Sequence, residues 1–173
     1  MKAQTLRILR LGNMLEETIT KDLRDAGFNV HSEQKEVVAT QGDKKLIGHV
    51  DGVIHLTDTE LGFDNEQCLL EIKTANQSRY NRKLKVGYDD WDIDYKSQIH
   101  AYAMLLGLKW IVTVVENKNN CKRDFELIKA DYKFATEALQ KPFKIWAGRK
   151  PIGICTSQRQ FSFLWCDFNN ECL

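Results

Sequence analysis

Apolar residues recur at steps of three and four from Ile8 through Leu11, Leu15, Ile19 and Leu23 to Ala26, and Gly27 follows them. That spacing predicts a helix over residues 3–26 with a glycine stop. The period then shortens. "KEVVAT" (35–40), "KLIGHVDGVIHL" (45–56) and "CLLEIKT" (68–74) are strand-like runs, separated by the turn-rich "QGDK" and "TDTELGFDNE". An antiparallel meander is the natural expectation. Residues 75–94 break the pattern. Arg79, Arg82, Lys83 and Lys85 gather around Tyr80, then Asp89, Asp90, Asp92 and Asp94 around Trp91, which predicts an exposed connection. Helical periodicity returns over 95–106 and ends at Gly107. "KWIVTVVEN" and "DFELIKA" predict a hairpin across "KNNCK", and "DYKFATEALQKPFKIWAG" a last helix that Pro142 should break or kink. No repeat or linker interrupts the chain. The expectation is one α+β (α/β sandwich-like) domain over 1–173, helices on a small mixed sheet, with an irregular cysteine-containing tail from about residue 148.

Two of these strands carry charges where strands do not normally hold them. "GHVDGVIHL" has Asp51 in its middle, and "LLEIKT" has Glu71 and Lys73. An unpaired charge buried in a strand costs far more than the strand returns. Alternate strand residues share a face, so Glu71 and Lys73 point one way while Leu70 and Ile72 point the other. His49, Asp51 and Val53 share a face of the preceding run. If the two runs pair, Asp51 and Glu71 sit side by side, where they must share a proton or a cation. Mg²⁺ suits such a pair, because it prefers oxygen ligands and keeps several waters. A lysine one pleat away would then orient or deprotonate a water, or stabilise charge at a phosphate. Phosphodiester hydrolysis requires that set. Glu-x-Lys alone says little, since Glu33–Lys35 and Glu116–Lys118 match it too. An edge strand with one wet face would also produce "EIKT". Elsewhere, Gln98 and Tyr102 lie four apart on one helix face, and Glu16 adjoins the apolar stripe of the first helix.

Composition narrows the partners little. The net charge of +1 neither suggests nor excludes nucleic acid, so any basic surface must be local. No apolar run is long enough to span a membrane, and the first residues turn acidic too soon for a secretory signal. A soluble, cytoplasmic protein is expected. Five cysteines, an odd number, in a reducing compartment argue against disulfides.

Taken in order, "GNMLE", "GHVDG", "LLEIKT" and "QIHAY" resemble the Gly-x-x-x-Glu, aspartate, Glu-x-Lys and Gln-x-x-x-Tyr motifs of the PD-(D/E)XK nuclease superfamily, in its RecB-like and phage-exonuclease branch. "VVENKNN" resembles the strand-turn that follows in many phage members. The likeness covers about residues 7–120. It implies a restriction-endonuclease-like core, and a metal-dependent DNA exonuclease or flap-processing nuclease of phage or bacterial replication, recombination or repair. In that pattern Asp51, Glu71 and the Ile72 carbonyl would hold Mg²⁺ or Mn²⁺, and Lys73 would orient or activate the attacking water. Glu16 would complete the acidic site, Gln98 would hold the lysine or the scissile region, and Tyr102 would contact the DNA backbone or brace the site. Many relatives place a metal-binding histidine where Glu16 stands. His49 reads instead as a structural histidine. Single-stranded or duplex DNA would run over Arg79, Tyr80, Arg82, Lys83, Lys85 and Lys118, with Tyr80 and Trp91 stacking on unpaired bases. The rival readings are a structure- or sequence-selective endonuclease on the same fold, and a non-catalytic DNA-binding adaptor.

Many RecB-like relatives also carry a four-cysteine iron–sulfur cluster. Here Cys166 and Cys172 have suitable spacing, but Phe163 occupies the position three before Cys166, and no cysteine precedes Cys68. Cys155 would make three ligands where a closed site needs four. A cluster remnant, with Phe161, Phe163, Trp165 and Phe168 packing the tail, is therefore expected rather than bound iron–sulfur or zinc.

Overall fold

The computed structural model describes residues 3–148. Helix α1 (Ala3–Asp25) ends at the expected glycine, and a two-residue strand β1 (Val30–His31) follows. Strands β2 (Glu36–Gln41) and β3 (Lys44–His49) come next, then β4 (Gly52–Asp58) and β5 (Phe63–Ala75). Helices α2 (Gln77–Val86) and α3 (Ile93–Leu106) lead to β6 (Trp110–Asn117), β7 (Arg123–Lys129) and α4 (Tyr132–Trp146). Five strands make one mixed sheet in the order β1-β4-β5-β6-β7, with β5 and β6 parallel and the other pairs antiparallel. The parallel pair needs a crossover, and α2 and α3 supply it. The architecture is α+β, a five-stranded mixed sheet flanked by helices. Among the described residues no helix is long and apolar enough to cross a membrane.

Side-chain alternation along β5 splits the core into two layers. Leu69 packs with Val50, Tyr88, Trp91, Ile99 and Ile111. Leu70 and Ile72 pack with Ile19, Leu23 and Ile54 on the face that α1 covers. Glu71 and Lys73 therefore belong to the face toward α2 and α3.

Three expectations need correction. The run 45–56 is not one strand. It breaks at Val50, whose N–H donates to the Lys35 carbonyl and whose carbonyl accepts from the Gln34 N–H, so β3 pairs with β2 as a separate ribbon. The expected meander is thus two hairpins, and His49 and Val53 belong to different sheets. Residues 75–94 are not an exposed connection either. They hold α2, capped by Asn76 and closed by Gly87 at φ 79°, and they bury Tyr80, Tyr88 and Trp91. Finally, Pro142 does not break α4, which runs on to Trp146. The chain forms one compact unit through Gln140 and a second from Lys141. In the second, Phe143 and Trp146 stack edge to face at 5.6 Å.

Candidate catalytic site on strand β5

The site begins where a neighbour stops. Pairing of β4 with β5 ends at Gly52–Leu70, while β5 runs on beside β6 as far as Ala75–Asn117. Past Leu70, the β4 side of β5 is open. Asp51, in the bend before β4, fills that edge, and its Oδ2 accepts the Ile72 N–H at 2.7 Å. A residue's N–H and C=O point the same way in a strand flanked by a parallel partner, so the Ile72 carbonyl faces the same open edge. Asp51 thus reaches β5 from a bend rather than from within a strand, and still lies beside Glu71.

Glu71 is fully buried, at 0% exposure, and neither of its oxygens has a hydrogen bond of standard geometry. The Lys73 ammonium forms an ion pair with Glu71 and lies 4.0 Å from Asp51 Oδ2. Burial pushes the Glu71 carboxyl up, to about 7, with the Asp51 and Glu16 charges adding to it and Lys73 opposing. Burial also raises Asp51, against the pull of Lys73 and the Ile72 N–H. For Lys73, burial alone would lower the ammonium, but the charges of Glu71 and Asp51 outweigh it and hold its pKa above the ordinary lysine value. Two acidic groups are thus kept reluctant to ionise around one permanent cation.

The helices bring the rest. Glu16 on α1 is raised by burial and then by the Asp51 charge, and its Oε1 accepts from Gln34 Nε2 at 3.0 Å. Glu16 and Gln34 line a recess of about 430 Å³ with Asn13, Glu17, Thr20 and Glu33. On α3, the Tyr102 hydroxyl rests against Gln98 and the His49 backbone. Its ring covers Gly48 so closely that a Cβ there would lie 2.6 Å from the ring carbon Cε1. Gln98 thus lies beside Tyr102 on one face of α3. Three residues escaped the sequence reading. Tyr95 places its ring 5.6 Å beneath the Lys73 ammonium, and its position three before Gln98 was the available signal. The Tyr88 hydroxyl is buried without a hydrogen-bond partner among the described residues, and burial followed by the Glu71 charge raises its pKa. Gln34 has no sequence signal at all.

Among the described residues, no three His, Cys, Asp or Glu side chains converge to hold a metal ion by themselves. Asp51, Glu71 and the Ile72 carbonyl offer oxygen ligands only, and two carboxylates completed by waters is the donor set Mg²⁺ accepts. Glu71 Oε2, buried with no hydrogen-bond partner among the described residues, fits that role.

The basic segment divides. Arg79, Arg82, Lys85 and Lys118 are exposed. Lys83 is buried at 1% exposure and ion-paired with Asp124 and Glu126, the latter at 2.9 Å. Tyr80 and Trp91 are buried as well. Those three cannot form an exposed DNA surface, and no base can stack on the two rings. Cys68 is buried in β5, with burial pushing its thiol up to about 12, while Cys121 sits exposed in the β6–β7 turn at φ 57°. Cys155, Cys166 and Cys172 lie outside the described residues.

Fold and site together define the class, an α+β protein with an acidic centre and one lysine on the central strand of a mixed sheet. No protein-family model and no curated protein matches the chain. A solved structure reported as "Crystal structure of SSO0001" superposes with a TM-score of 0.59, at 19% identity, over 94% of this chain and 68% of its own. At that identity the likeness is one of fold.

Proposed function

We propose that this chain is a divalent-metal-dependent deoxyribonuclease of the PD-(D/E)XK kind, an exonuclease or flap-processing nuclease that hydrolyses phosphodiester bonds. One observation carries the reading: Asp51 and the fully buried Glu71 meet Lys73, the only cation paired with Glu71 among the described residues, at the open edge of β5. Burying two acids against a single lysine leaves one negative charge uncompensated, which is expensive for a purely structural purpose. Asp51, Glu71 and the Ile72 carbonyl would hold Mg²⁺ or Mn²⁺, which supplies Lewis acidity toward a phosphoryl oxygen and lowers the pKa of a bound water.

The chain's own residues do the rest. Lys73, held beside the two carboxylates, would orient or activate the attacking water and stabilise charge on the phosphate. Tyr95 fixes the lysine from below. Glu16 adds a third carboxyl at the rim, and Tyr102 braces Gln98 over the ribbon end that leads into Asp51. DNA would pass over the exposed Lys118, whose N–H is bonded to the Ala75 carbonyl two residues beyond Lys73.

The test is cleavage of end-labelled single- and double-stranded DNA, linear or circular, in Mg²⁺, Mn²⁺ or EDTA. Activity that needs the cation and is abolished by Asp51→Ala and Glu71→Ala supports the reading, and resistance of circles assigns an exonuclease. Robust cleavage in EDTA would sink it.

A further inference from the structure

Arg79 stands apart from the other exposed cations because it is held in place. It lies in the first turn of α2, where the Asn76 side chain accepts its backbone N–H at 2.9 Å. Its guanidinium packs against two rings at once, with Cζ 5.2 Å from the Trp91 centroid and 5.6 Å from that of Tyr95. One terminal nitrogen donates to Asp92 Oδ2 at 3.1 Å, and the other oxygen of Asp92 caps α3 by accepting the Asp94 N–H at 3.0 Å. The arginine side chain nevertheless remains half exposed, at 50%. A guanidinium carries five N–H donors, so most of its capacity is uncommitted among the described residues.

The same Tyr95 ring ties this cation to the catalytic one. Lys73 Nζ lies 5.6 Å from its centroid, as Arg79 Cζ does, which caps the separation of the two charges at about 11 Å. Among the described residues, Arg82 and Lys85 have no such link and no partner ring. A planar cation whose rotamer is already fixed by rings and a carboxylate loses little entropy on gripping an anion, and its fork matches two phosphate oxygens.

We infer that Arg79, on its Trp91–Tyr95 shelf, forms a subsite for the backbone phosphate neighbouring the scissile one. The preferred substrate is therefore a nucleotide chain with at least two consecutive phosphodiesters, not an isolated diester. This rests on the nuclease reading above. A guanidinium serving only to brace α2 against α3 would have no such preference.

Two substrates and one binding titration separate the cases. Kinetics are measured on a 20-nucleotide single strand and on the p-nitrophenyl ester of thymidine 5′-monophosphate, which has a single phosphodiester. Binding of the fluorescein-labelled strand is followed by anisotropy in EDTA over a KCl series. Arg79→Ala should raise KM for the strand about tenfold with kcat within about threefold, the scale of one lost charge-assisted phosphate contact. Its loss on the single diester should stay under about threefold, and the salt slope should fall by about one. Arg79→Lys should restore the slope but only part of the KM, since an ammonium lacks the planar fork. Equal losses on both substrates, or an unchanged KM and slope, would overturn the subsite while leaving the nuclease standing. Wild-type protein that neither cleaves nor binds either probe would remove the nuclease reading and the subsite with it.

Discussion

Replacing Glu71 by glutamine should stabilise the metal-free protein, and only at neutral and alkaline pH. The unfolded chain ionises this carboxyl near 4.5, whereas burial in the folded chain pushes it up to about 7. Between those values the folded protein holds a proton that the unfolded one has released, so stability falls as pH rises through that window and levels off above it. Each pH unit between two pKa values is worth about 1.4 kcal/mol, which sets a ceiling of about 3 kcal/mol for Glu71 at pH 8. Part of that is shared with Asp51 and Glu16, whose charges also oppose its ionisation. Glutamine mimics the protonated acid and should recover on the order of 1–2 kcal/mol, or about 4 °C in Tm for a chain of this length. The assay is thermal unfolding in EDTA at pH 5 and pH 8, repeated with Mg²⁺. Wild type should gain on adding Mg²⁺ at pH 8, and Glu71→Gln should gain much less. A variant that is destabilised equally at both pH values would refute the reasoning. It would mean that the pair with Lys73 is a structural tie and not a site awaiting a cation.

Three further outcomes are expected. Lys73→Ala should cleave at least ~100-fold more slowly while still binding DNA, measured by single-turnover kinetics beside anisotropy; near-normal turnover would remove the lysine from the site. Gly48→Ala places a methyl inside the van der Waals envelope of Tyr102 and should cost about 1–3 kcal/mol in urea titrations, together with a lower kcat. Lost stability with untouched turnover would detach Tyr102 from catalysis. Elemental analysis after anaerobic purification should find no stoichiometric iron or zinc, and brown protein whose absorbance band is lost in Cys172→Ala would restore the cluster.

The parts of the site legible in the sequence were those that violate a local rule. Asp51, Glu71 and Lys73 show themselves because charges interrupt apolar strand runs. Gln98 and Tyr102 follow from helical spacing. Long-range pairing decided what was missed. Val50 breaks its run because Gln34 and Lys35 capture its backbone, and nothing local announces it. Lys83 reads as a solvated lysine until β7 brings Asp124 and Glu126 against it. Helix α2 was hidden by its charges, although Asn76 and Gly87 were valid cap signals. At two residues, β1 is too short for any periodicity to register.

The parallel pairing of β5 with β6 also bears on the order of assembly. Residues 68–75 are bonded to residues 110–117 across two intervening helices, so this pairing waits on closure of a long loop. The burial that raises the Glu71 pKa is a property of the assembled sheet and helices. The cost of desolvating Glu71 is therefore tied to a long-range pairing rather than to the local hairpins. A nascent chain released only as far as α3 would hold every proposed catalytic side chain and still lack the strand beside which β5 carries them.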